Sequence, residues 1–566
     1  MRELVEAALK AAVEAGELDL GEAGLAGAPP VTLEAPRRPE HGDFATNIAM
    51  SLARVARKKP REIAEVLAAR LKETELSEVD VAGPGFINLR LPPAAWGRAL
   101  GAVHEAGDAF GHTEGGAGKR VLVEYVSANP TGPMHVGHGR GAVTGDVVAT
   151  LLTWAGYEVG REFYVNDAGN QIKNLVASVH ARYLELLGET VEFPEDGYPG
   201  DYIMDCAKAL HAKEGERFRE ADEAALAEVR AFSVEYMLDW IHEDLAAFGI
   251  VFDDFASELS IFERGLVKEA LEELRGKGLL QDEPDGAVLF RATEFGDDKD
   301  RAVLKRDGTH TYLAADLAYH RDKLKRGNDW LINIWGADHA GYVSRMKASI
   351  QALGRDPEAL TVVLVQMVNL TRDGEPVRMG KRSGTFVPLR EVIDEVGRDA
   401  ARLFFIMRRS DAQFDFDLEL AKKSSLDNPV HYVKYGHARC ASLLAKAEER
   451  GLPIPAGVPG EAALAALGLP EEVALCREIL SFPQVVAGAA QNLEPHRIVY
   501  YLQETIAAFH SYYTRTGKDD PILSDDPAKL AGRLFLVQSL KQVLKNGLLI
   551  LGVEAPERMD WSEGEQ

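Results

Sequence analysis

The chain has 566 residues, 46% hydrophobic and 27% charged, with a formal net charge of −25. At about 100–200 residues per domain, this is enough apolar material for several cores, which excludes a disordered chain. The acidic balance argues against a broad nucleic-acid-binding surface and confines any such contact to local basic patches.

The N-terminal stretch MRELVEAALKAAVEAGE has the pattern of an acidic amphipathic helix and lacks the basic and apolar regions of a signal peptide. RVARKKPR then gathers Arg54, Arg57, Lys58, Lys59 and Arg61 within eight residues. It reads either as a solvated helix end stopped by Pro60 or as a nucleic-acid patch. VDVAGPGFINLRL predicts a strand broken by a Gly-Pro-Gly turn. Residues 1–110 therefore read as an α+β domain.

GDAFGHTEGGAGKR, from Gly107, is a linker, and VLVEYV after it predicts a buried strand. The next segment, SANPTGPMHVGHGRGAVTGD, holds two prolines and five glycines and runs into a helical stretch closed by Gly156. REFYVNDAG supplies another strand and turn, so the order is βαβ, the mark of a parallel sheet. Near 183–280 the pattern is helical and rich in Glu and Ala, which predicts an insertion splitting the α/β domain. Strand–helix alternation returns in TYLAADLAYHRDKL, WLINIWGADHAGYVSRMKASI and LTVVLVQMVNL. From residue 427 the chain reads as helical to its end, interrupted by the Gly/Ala/Pro loop RGLPIPAGVPGEAALAALGLP. No apolar run reaches the roughly 18 residues of a membrane span, so no membrane partner is expected. Cys206, Cys440 and Cys476 form neither a disulfide framework nor a CxxC pair, so no structural zinc and a reducing cytoplasm are expected.

The loop after VLVEYV lies beyond the carboxyl end of its strand, where parallel sheets bind ligands. The helix that follows points its N-terminus there, and its free N–H groups and dipole would attract phosphate. His135 and His138 fall in its first turn and could donate hydrogen bonds to phosphate oxygens. Gly137 between them would let a flat base approach the backbone. Two other readings stand beside this one. An i, i+3 histidine pair could ligate a metal, although no HExxH or nearby cysteine completes such a set. The two rings could also simply pack a tight turn. A second loop, VRMGKRSGTFVPL, presents Arg378, Lys381 and Arg382, cations suited to a pyrophosphate leaving group.

HVGH and RMGKR resemble the HIGH and KMSKS signatures of class I aminoacyl-tRNA synthetases, the second keeping its methionine and second lysine while losing its first lysine and both serines. SANPTGPMHVGH, FYVNDAGNQI, DGTHTYLAADLAYHRDKL, WGADHAGYVSRMKA, LGVEAPERM, EHGDFATNIAM and VAGPGFINLRL resemble the arginyl-tRNA synthetase family over nearly the whole chain. Members that lack the second signature lysine carry one just before HIGH. Here Lys381 is present and Gly132 stands at the alternative place.

The resemblance implies a Rossmann-like parallel-sheet catalytic domain over 118–372 with the helical insertion near 183–280. It also implies a signature loop and helical connector over 373–426, an N-terminal domain over 1–110 and an all-α anticodon-binding domain over 427–566. The implied reaction activates L-arginine with ATP, accompanied by Mg²⁺, and transfers it to the 2′-hydroxyl of the terminal adenosine of tRNA(Arg). The implied catalytic residues are His135, His138 and Lys381, with Gly137 and Met379 joining them at ATP. Asn129, Glu258, Tyr312 and Asp316 would hold arginine; a guanidinium needs carboxylates at fixed geometry, and Tyr312 and Asp316 share a helix face. Asp338 and His339 would face the nucleotide or the substrate. Arg57 and Lys58 would meet the tRNA elbow. Tyr432, Tyr435, Arg439, Tyr513 and Met559 would meet the anticodon, although a tyrosine stripe at helical spacing also suits a core. A monomer is expected. Alternatives are a glutamate or cysteine synthetase, a non-catalytic tRNA-binding relative, and a small nucleotidyltransferase.

Overall fold

A computed structural model of the chain describes residues 1–34, 36, 38, 41–377, 387–517 and 520–559. The chain divides into two compact units. One comprises Met1–Gly107, Leu443–Leu480 and Ala508–Leu540; the other comprises Asp108–Ser442, Ser481–Ala507 and Lys541–Gln566.

The first unit opens with an antiparallel three-stranded sheet, Phe44–Thr46, Phe86–Arg90 and Glu78–Ala82 in that spatial order, packed by the helices Arg2–Glu14, Ile48–Ala56 and Pro60–Leu71. VDVAGPGFINLRL is thus a hairpin. Its helical part encloses Arg533, whose Nε donates to Glu472 at 2.8 Å and whose second amino group donates to Asp520 at 2.7 Å. A buried cation persists here because carboxylates on both sides replace the water it lost.

The second unit is built on five parallel strands: β1 (Arg120–Glu124), β2 (Glu158–Val165), β3 (Asp254–Ser257), β4 (Trp330–Gly336) and β5 (Leu360–Val365). Their order is β5-β4-β1-β2-β3. The winding reverses at β1, and a doubly wound sheet opens its ligand crevice at such a reversal. Val121, Val123 and Leu331 are fully or almost fully buried, as the β-branched run predicts for a strand covered on both faces. Helix α1 (Val136–Trp154) is apolar around most of its circumference and is accordingly buried. It lies so close to the sheet that a Cβ added at Gly145 would fall 2.3 Å from the Tyr125 ring.

Helices α2 (Gly169–Leu186), α3 (Asp201–Glu214) and α4 (Glu223–Ala247) pack around Tyr183, Cys206, Phe218 and Met237. The helical stretch expected near 183–280 is not continuous, because β3 lies inside it and joins the main sheet. Four residues, DFAS, are too short to register against the helical Glu/Ala pattern on either side. A small antiparallel sheet, Leu280–Asp282, Val288–Phe290 and Arg301–Leu304, also went unread before α5 (Tyr312–Lys325). Strands β6 (Val368–Arg372) and β7 (Phe414–Asp417) pair in parallel beyond the sheet, with α6 (Arg398–Ile406) between them in sequence. Helix α7 (Pro429–Glu449) opens the helical C-terminal region.

Two helices, Pro470–Asn492 and Pro527–Leu551, are long and apolar enough to cross a membrane, each with mean hydropathy 1.3. Charged residues such as Arg477 and Lys545 interrupt each, so neither is an unbroken apolar run. Ile479, Phe482, Leu534 and Leu548 are buried, as in core helices of a folded domain.

The contact between α1 and Tyr125 leaves no room for a methyl group. Gly145→Ala is therefore expected to destabilise the parallel-sheet unit by about 2–3 kcal/mol, read as a lowered urea midpoint. An unchanged midpoint would show that α1 can shift off the sheet freely.

Candidate active site

Immediately after β1, Val126 and Ser127 both take left-handed backbone angles, with φ of 68° and 46°. For a β-branched residue this is strained, and strain of this kind persists only where the surroundings over-determine it. The kink is closed by the Ser127 amide donating to the Tyr125 carbonyl at 2.9 Å. It turns the chain across the carboxyl ends of the strands towards His135.

His135 is the N-cap of α1, and its Nδ1 accepts from the Gly137 amide at 3.1 Å. His138 Nδ1 accepts in turn from the His135 amide at 3.3 Å, and the rings stack with centroids 3.7 Å apart. Burial pushes the His138 imidazole down to about 3, helped by neighbouring His135, and burial also lowers His135. Both rings are therefore neutral at physiological pH. With Nδ1 used as an acceptor, the hydrogen-bond network assigns the proton of each ring to Nε2. Gly137 is required here for another reason: a Cβ would lie 2.9 Å from the His135 ring.

The expectation of free first-turn amides does not hold. The Val136 amide donates to the Val387 carbonyl at 3.0 Å and the His138 amide to the His135 carbonyl at 2.9 Å, while Gly137 serves the His135 ring. The antiparallel rung between Met134–Val136 and Val387–Leu389 consumes what a bare helix end would offer. The ring Nε2–H groups, rather than these amides, are the donors that the cap presents. His135 and His138 line a cleft of ≈ 1230 Å³ together with Asn129, Gln171, Tyr202 and Asp244. Asn129 donates to Gln171 at 2.6 Å, and Tyr202 donates to the Thr131 carbonyl at 3.0 Å. Burial pushes the Asp244 carboxyl up to about 6.

Three carboxylates, Glu124, Glu258 and Asp316, interact electrostatically beside this connection, and a hydroxyl holds each one. Ser127 Oγ donates to Glu124 at 3.1 Å, Tyr342 to Asp316 at 2.5 Å, and Tyr164 to Glu258. Burial pushes Asp316 up to about 6, with the charges of Glu124 and Glu258 adding and the Tyr342 hydrogen bond opposing. Burial also raises Glu258, against the Tyr164 hydrogen bond. Lys323, itself buried, pairs with Glu124 and lies 4.2 Å from the Tyr319 ring centroid. Three carboxylates outnumber the one ammonium paired within this cluster, and the Arg345 guanidinium lies beyond it, 4.6 Å from the Tyr342 ring centroid. Tyr312, 69% exposed, stands one helical turn before Asp316 on α5 and is not a core aromatic.

Sequence reasoning missed Glu124, Tyr164, Tyr342 and Lys323. The readable signal was Glu124 itself, a carboxylate inside an otherwise apolar strand and at its carboxyl end. Asp338 and His339 pair with each other at 3.5 Å and are exposed. Met379 and Lys381 lie outside the described residues.

Among the expected tRNA residues, Arg57 caps the helix Ile48–Ala56 in a left-handed conformation, and Lys58 Nζ donates to the Glu17 carbonyl at 2.6 Å. Tyr432, Tyr435 and Arg439 share α7, half-buried, with the Arg439 guanidinium 5.3 Å from the Tyr435 ring centroid. Tyr513 belongs to the other unit and is half-buried. Met559 lines a cavity of ≈ 850 Å³ with Lys434 and His431.

Residues 107–415 match the family model described as tRNA synthetases class I (R), catalytic domain, residues 1–91 the arginyl tRNA synthetase N terminal domain, and residues 433–559 the DALR anticodon binding domain. The chain is 51% identical to an arginine–tRNA ligase of Syntrophotalea carbinolica over 562 residues, 99% of each chain. It is 53% identical to one of Anaeromyxobacter sp. over 572 residues, 94% of each. Its fold matches that of the Thermus thermophilus arginyl-tRNA synthetase, with a TM-score of 0.71 at 24% identity over 99% of both chains.

His138 ties the helix cap to pH. Its folded value of about 3 lies below the ordinary 6.5 of imidazole, so the stability it contributes is present above 6.5 and is lost as pH falls through that interval. His138→Asn is expected to flatten the decline of stability between those pH values, by up to about 1.4 kcal/mol per pH unit. His138→Ala should in addition lose about 1 kcal/mol at neutral pH through the missing acceptor. Urea unfolding across pH reads both; an Asn variant with the parental pH slope would refute the buried neutral ring.

Proposed function

The chain belongs to the arginyl-tRNA synthetase family, and on that premise we propose that its cleft activates arginine with ATP and hands it to tRNA(Arg). The carrying observation is the juxtaposition of a hydroxyl-held tricarboxylate pocket with two neutral, Nε2–H imidazoles on one connection. Arginine's guanidinium enters between Glu124, Glu258 and Asp316, with Tyr312 covering it and Asn129 at the α-amino or carboxylate end. Its binding stabilises ionised Asp316. The substrate carboxylate oxygen then attacks the α-phosphorus of ATP as the bond to the β-phosphate oxygen breaks, releasing pyrophosphate. His135 and His138 donate Nε2–H groups to the phosphate oxygens as charge builds there. Neutral rings can do this without trapping the anion afterwards. Lys381, with Met379 beside it in the signature segment, supplies the cation for the departing pyrophosphate. The 2′-hydroxyl of the terminal adenosine next attacks the arginyl carbonyl and AMP leaves. No protein nucleophile takes part, so positioning and electrostatics carry the rate. Mg²⁺ accompanies the triphosphate. The imidazole Nδ1 atoms face backbone amides and the pocket carboxylates face hydroxyls, which fits a metal carried by the nucleotide better than one caged by side chains.

Glutamate would bring a second anion to an uncompensated anionic pocket, which disfavours the glutamyl alternative. On the tRNA side, Arg57 and Lys58 are assigned to the elbow and Tyr432, Tyr435, Arg439, Tyr513 and Met559 to the anticodon. The cation–π pair of Arg439 and Tyr435 suits stacking on splayed bases. Every group named for the two steps comes from one chain, which fits a monomer. The three buried thiols fit a reducing cytoplasm.

Exchange of labelled pyrophosphate into ATP, run with each amino acid and with or without total tRNA, should require arginine. Exchange driven by glutamate, or tight tRNA binding with no exchange at all, would overturn the assignment. In the same assay Lys381→Ala should slow activation by about 100-fold or more while arginine affinity holds.

The arginine KM should be flat above pH 6 and rise as pH falls below it, by about tenfold per unit for each proton taken up, because Asp316 titrates near 6 and only its ionised form meets the guanidinium. Tyr342→Phe removes the hydrogen bond that holds Asp316 down, so the break should move to higher pH. Asp316→Asn should raise the arginine KM by about 10–100-fold and abolish that break; a KM profile insensitive to all three changes would remove Asp316 from the pocket.

A further inference from the structure

The carboxylate cluster is held by hydroxyls, and one of these hydroxyls has a cation behind it. Tyr342 ends a short helical turn, Ala337–Tyr342, and donates to Asp316 at 2.5 Å. Its ring has two close neighbours. Trp335, near the end of β4, meets it edge-on with centroids 6.0 Å apart, and the Arg345 guanidinium lies over it, 4.6 Å from the centroid. Burial and the charge of Asp316 push the Tyr342 phenol up, while the charge of Arg345 and its hydrogen bond to the hydroxyl oppose them. The hydroxyl oxygen thus accepts from a cation while its proton goes to a carboxylate.

Arg345 belongs to the helix Val343–Ala352, and its seat is Asp297, in the connection that leads into the strand Arg301–Leu304 of the small antiparallel sheet. Asp297 is buried and already well supplied with donors. It accepts from Arg301 Nε at 2.8 Å, from a terminal nitrogen of Arg301 at 2.9 Å and from the Asp298 amide at 2.8 Å. These bonds, Arg301's above all, hold its carboxyl down at about 2. The Arg345 Nε stands 3.9 Å from the same carboxylate, beyond hydrogen-bond reach, and is buried with no acceptor among the described residues. Asp297 therefore orients Arg345 without neutralising it, because most of its charge is spent on Arg301. The remaining positive charge acts on Tyr342.

A hydroxyl that accepts from a cation is a stronger donor, because hydrogen bonds in a chain polarise one another. Asp316 needs such a donor. Glu124 from β1 and Glu258 from the helix Glu258–Glu263 both oppose its ionisation, and Lys323 on its own helix favours it. The neutral His320 ring, one turn further along α5, donates to the Asp316 carbonyl at 2.8 Å and not to its carboxylate. We propose that Arg345 is a positioning residue for arginine recognition: seated on Asp297 and laid over the Tyr342 ring, it strengthens the hydroxyl that keeps Asp316 ionised for the substrate guanidinium. The inference rests on reading the cluster of Glu124, Glu258 and Asp316 as the arginine pocket. It also connects the small antiparallel sheet to that pocket, since Asp297 and Arg301 form the far end of a chain that runs through Arg345 and Tyr342 to Asp316.

The test follows the arginine and ATP KM by pyrophosphate exchange from about pH 5 to about pH 8, in the parent chain and in Arg345→Gln, Arg345→Lys, Tyr342→Phe and Arg345→Gln/Tyr342→Phe. Arg345→Gln should move the low-pH break of the arginine KM upward by about 0.5–1 pH unit and leave the ATP KM within about twofold of the parent throughout. Arg345→Lys keeps the charge but not the plane that covers the ring, so its break should fall between the two. With the hydroxyl gone, Arg345→Gln should add no shift to that of Tyr342→Phe. A parental break in Arg345→Gln, equal rises of both KM values at every pH, or additive shifts in the double variant would overturn the inference. Should Arg345→Gln fail to fold, Arg345→Lys made in the parental and in the Tyr342→Phe chain decides in its place. A shift in the first alone supports the inference, and any other pattern overturns it. If the parent chain exchanges with arginine and shows the break while Arg345→Gln leaves it in place, this inference falls alone. If the parent chain gives no arginine-dependent exchange, or no break, the reading of the pocket falls with it.

Discussion

Everything in the cleft depends on how the fifteen residues from Glu124 to His138 satisfy their own backbone. They leave the central strand through a strained pair at Val126 and Ser127 and enter α1 through a cap made of two histidine rings. The cap has a chemical consequence beyond helix stability. Each Nδ1 is committed to an amide, so each Nε2 must carry the proton, and burial keeps both rings uncharged. A local requirement of helix geometry thus yields two hydrogen-bond donors of fixed tautomer. The strained turn works in the same way, for it brings the Ser127 hydroxyl back onto Glu124 at the strand's end.

The same connection separates two electrostatic environments. Its strand end faces carboxylates that are only partly neutralised, and its helix end faces neutral donors. Lys323 offsets one carboxylate, while the buried Glu162 is paired with Arg326, which Asp322 shares, and accepts from Tyr319 at 2.6 Å. Negative charge is left in excess in the cluster of Glu124, Glu258 and Asp316. A cation placed here would relieve the mutual repulsion of Glu124, Glu258 and Asp316, whereas an anion would add to it. Hydroxyls suit this task because they orient a carboxylate without cancelling its charge, as a lysine or arginine would.

Much of this was legible beforehand, but unevenly. His135, Gly137, His138, Tyr312 and Asp316 stand out because each lies in a short motif whose spacing has a local meaning. The α/β alternation was legible for the same reason, since apolar runs and helical periods are properties of neighbouring residues. What escaped is non-local. Ser127 and Glu124 are neighbours, but Tyr164, Lys323 and Tyr342 reach the pocket from other elements, and no period in the sequence links them. The rung formed by Val387–Leu389 is also long-range, and it removes the free amides that a helix N-terminus promises by itself. β3 was hidden because four residues of strand carry too little pattern to compete with the helices around them.

Gly132 shows how the insertion and the signature loops constrain each other. A Cβ at this position would lie 3.0 Å from the Tyr202 ring, and Tyr202 is held there by its bond to the Thr131 carbonyl and by edge-to-face contact with Trp240, 6.0 Å between centroids. A side chain at residue 132 would press on that ring, which would have to give by a few tenths of an ångström. With the aromatic wall kept, a cation placed just before HVGH is sterically disfavoured. Glycine at residue 132 leaves the Tyr202 ring its place in the wall of the cleft.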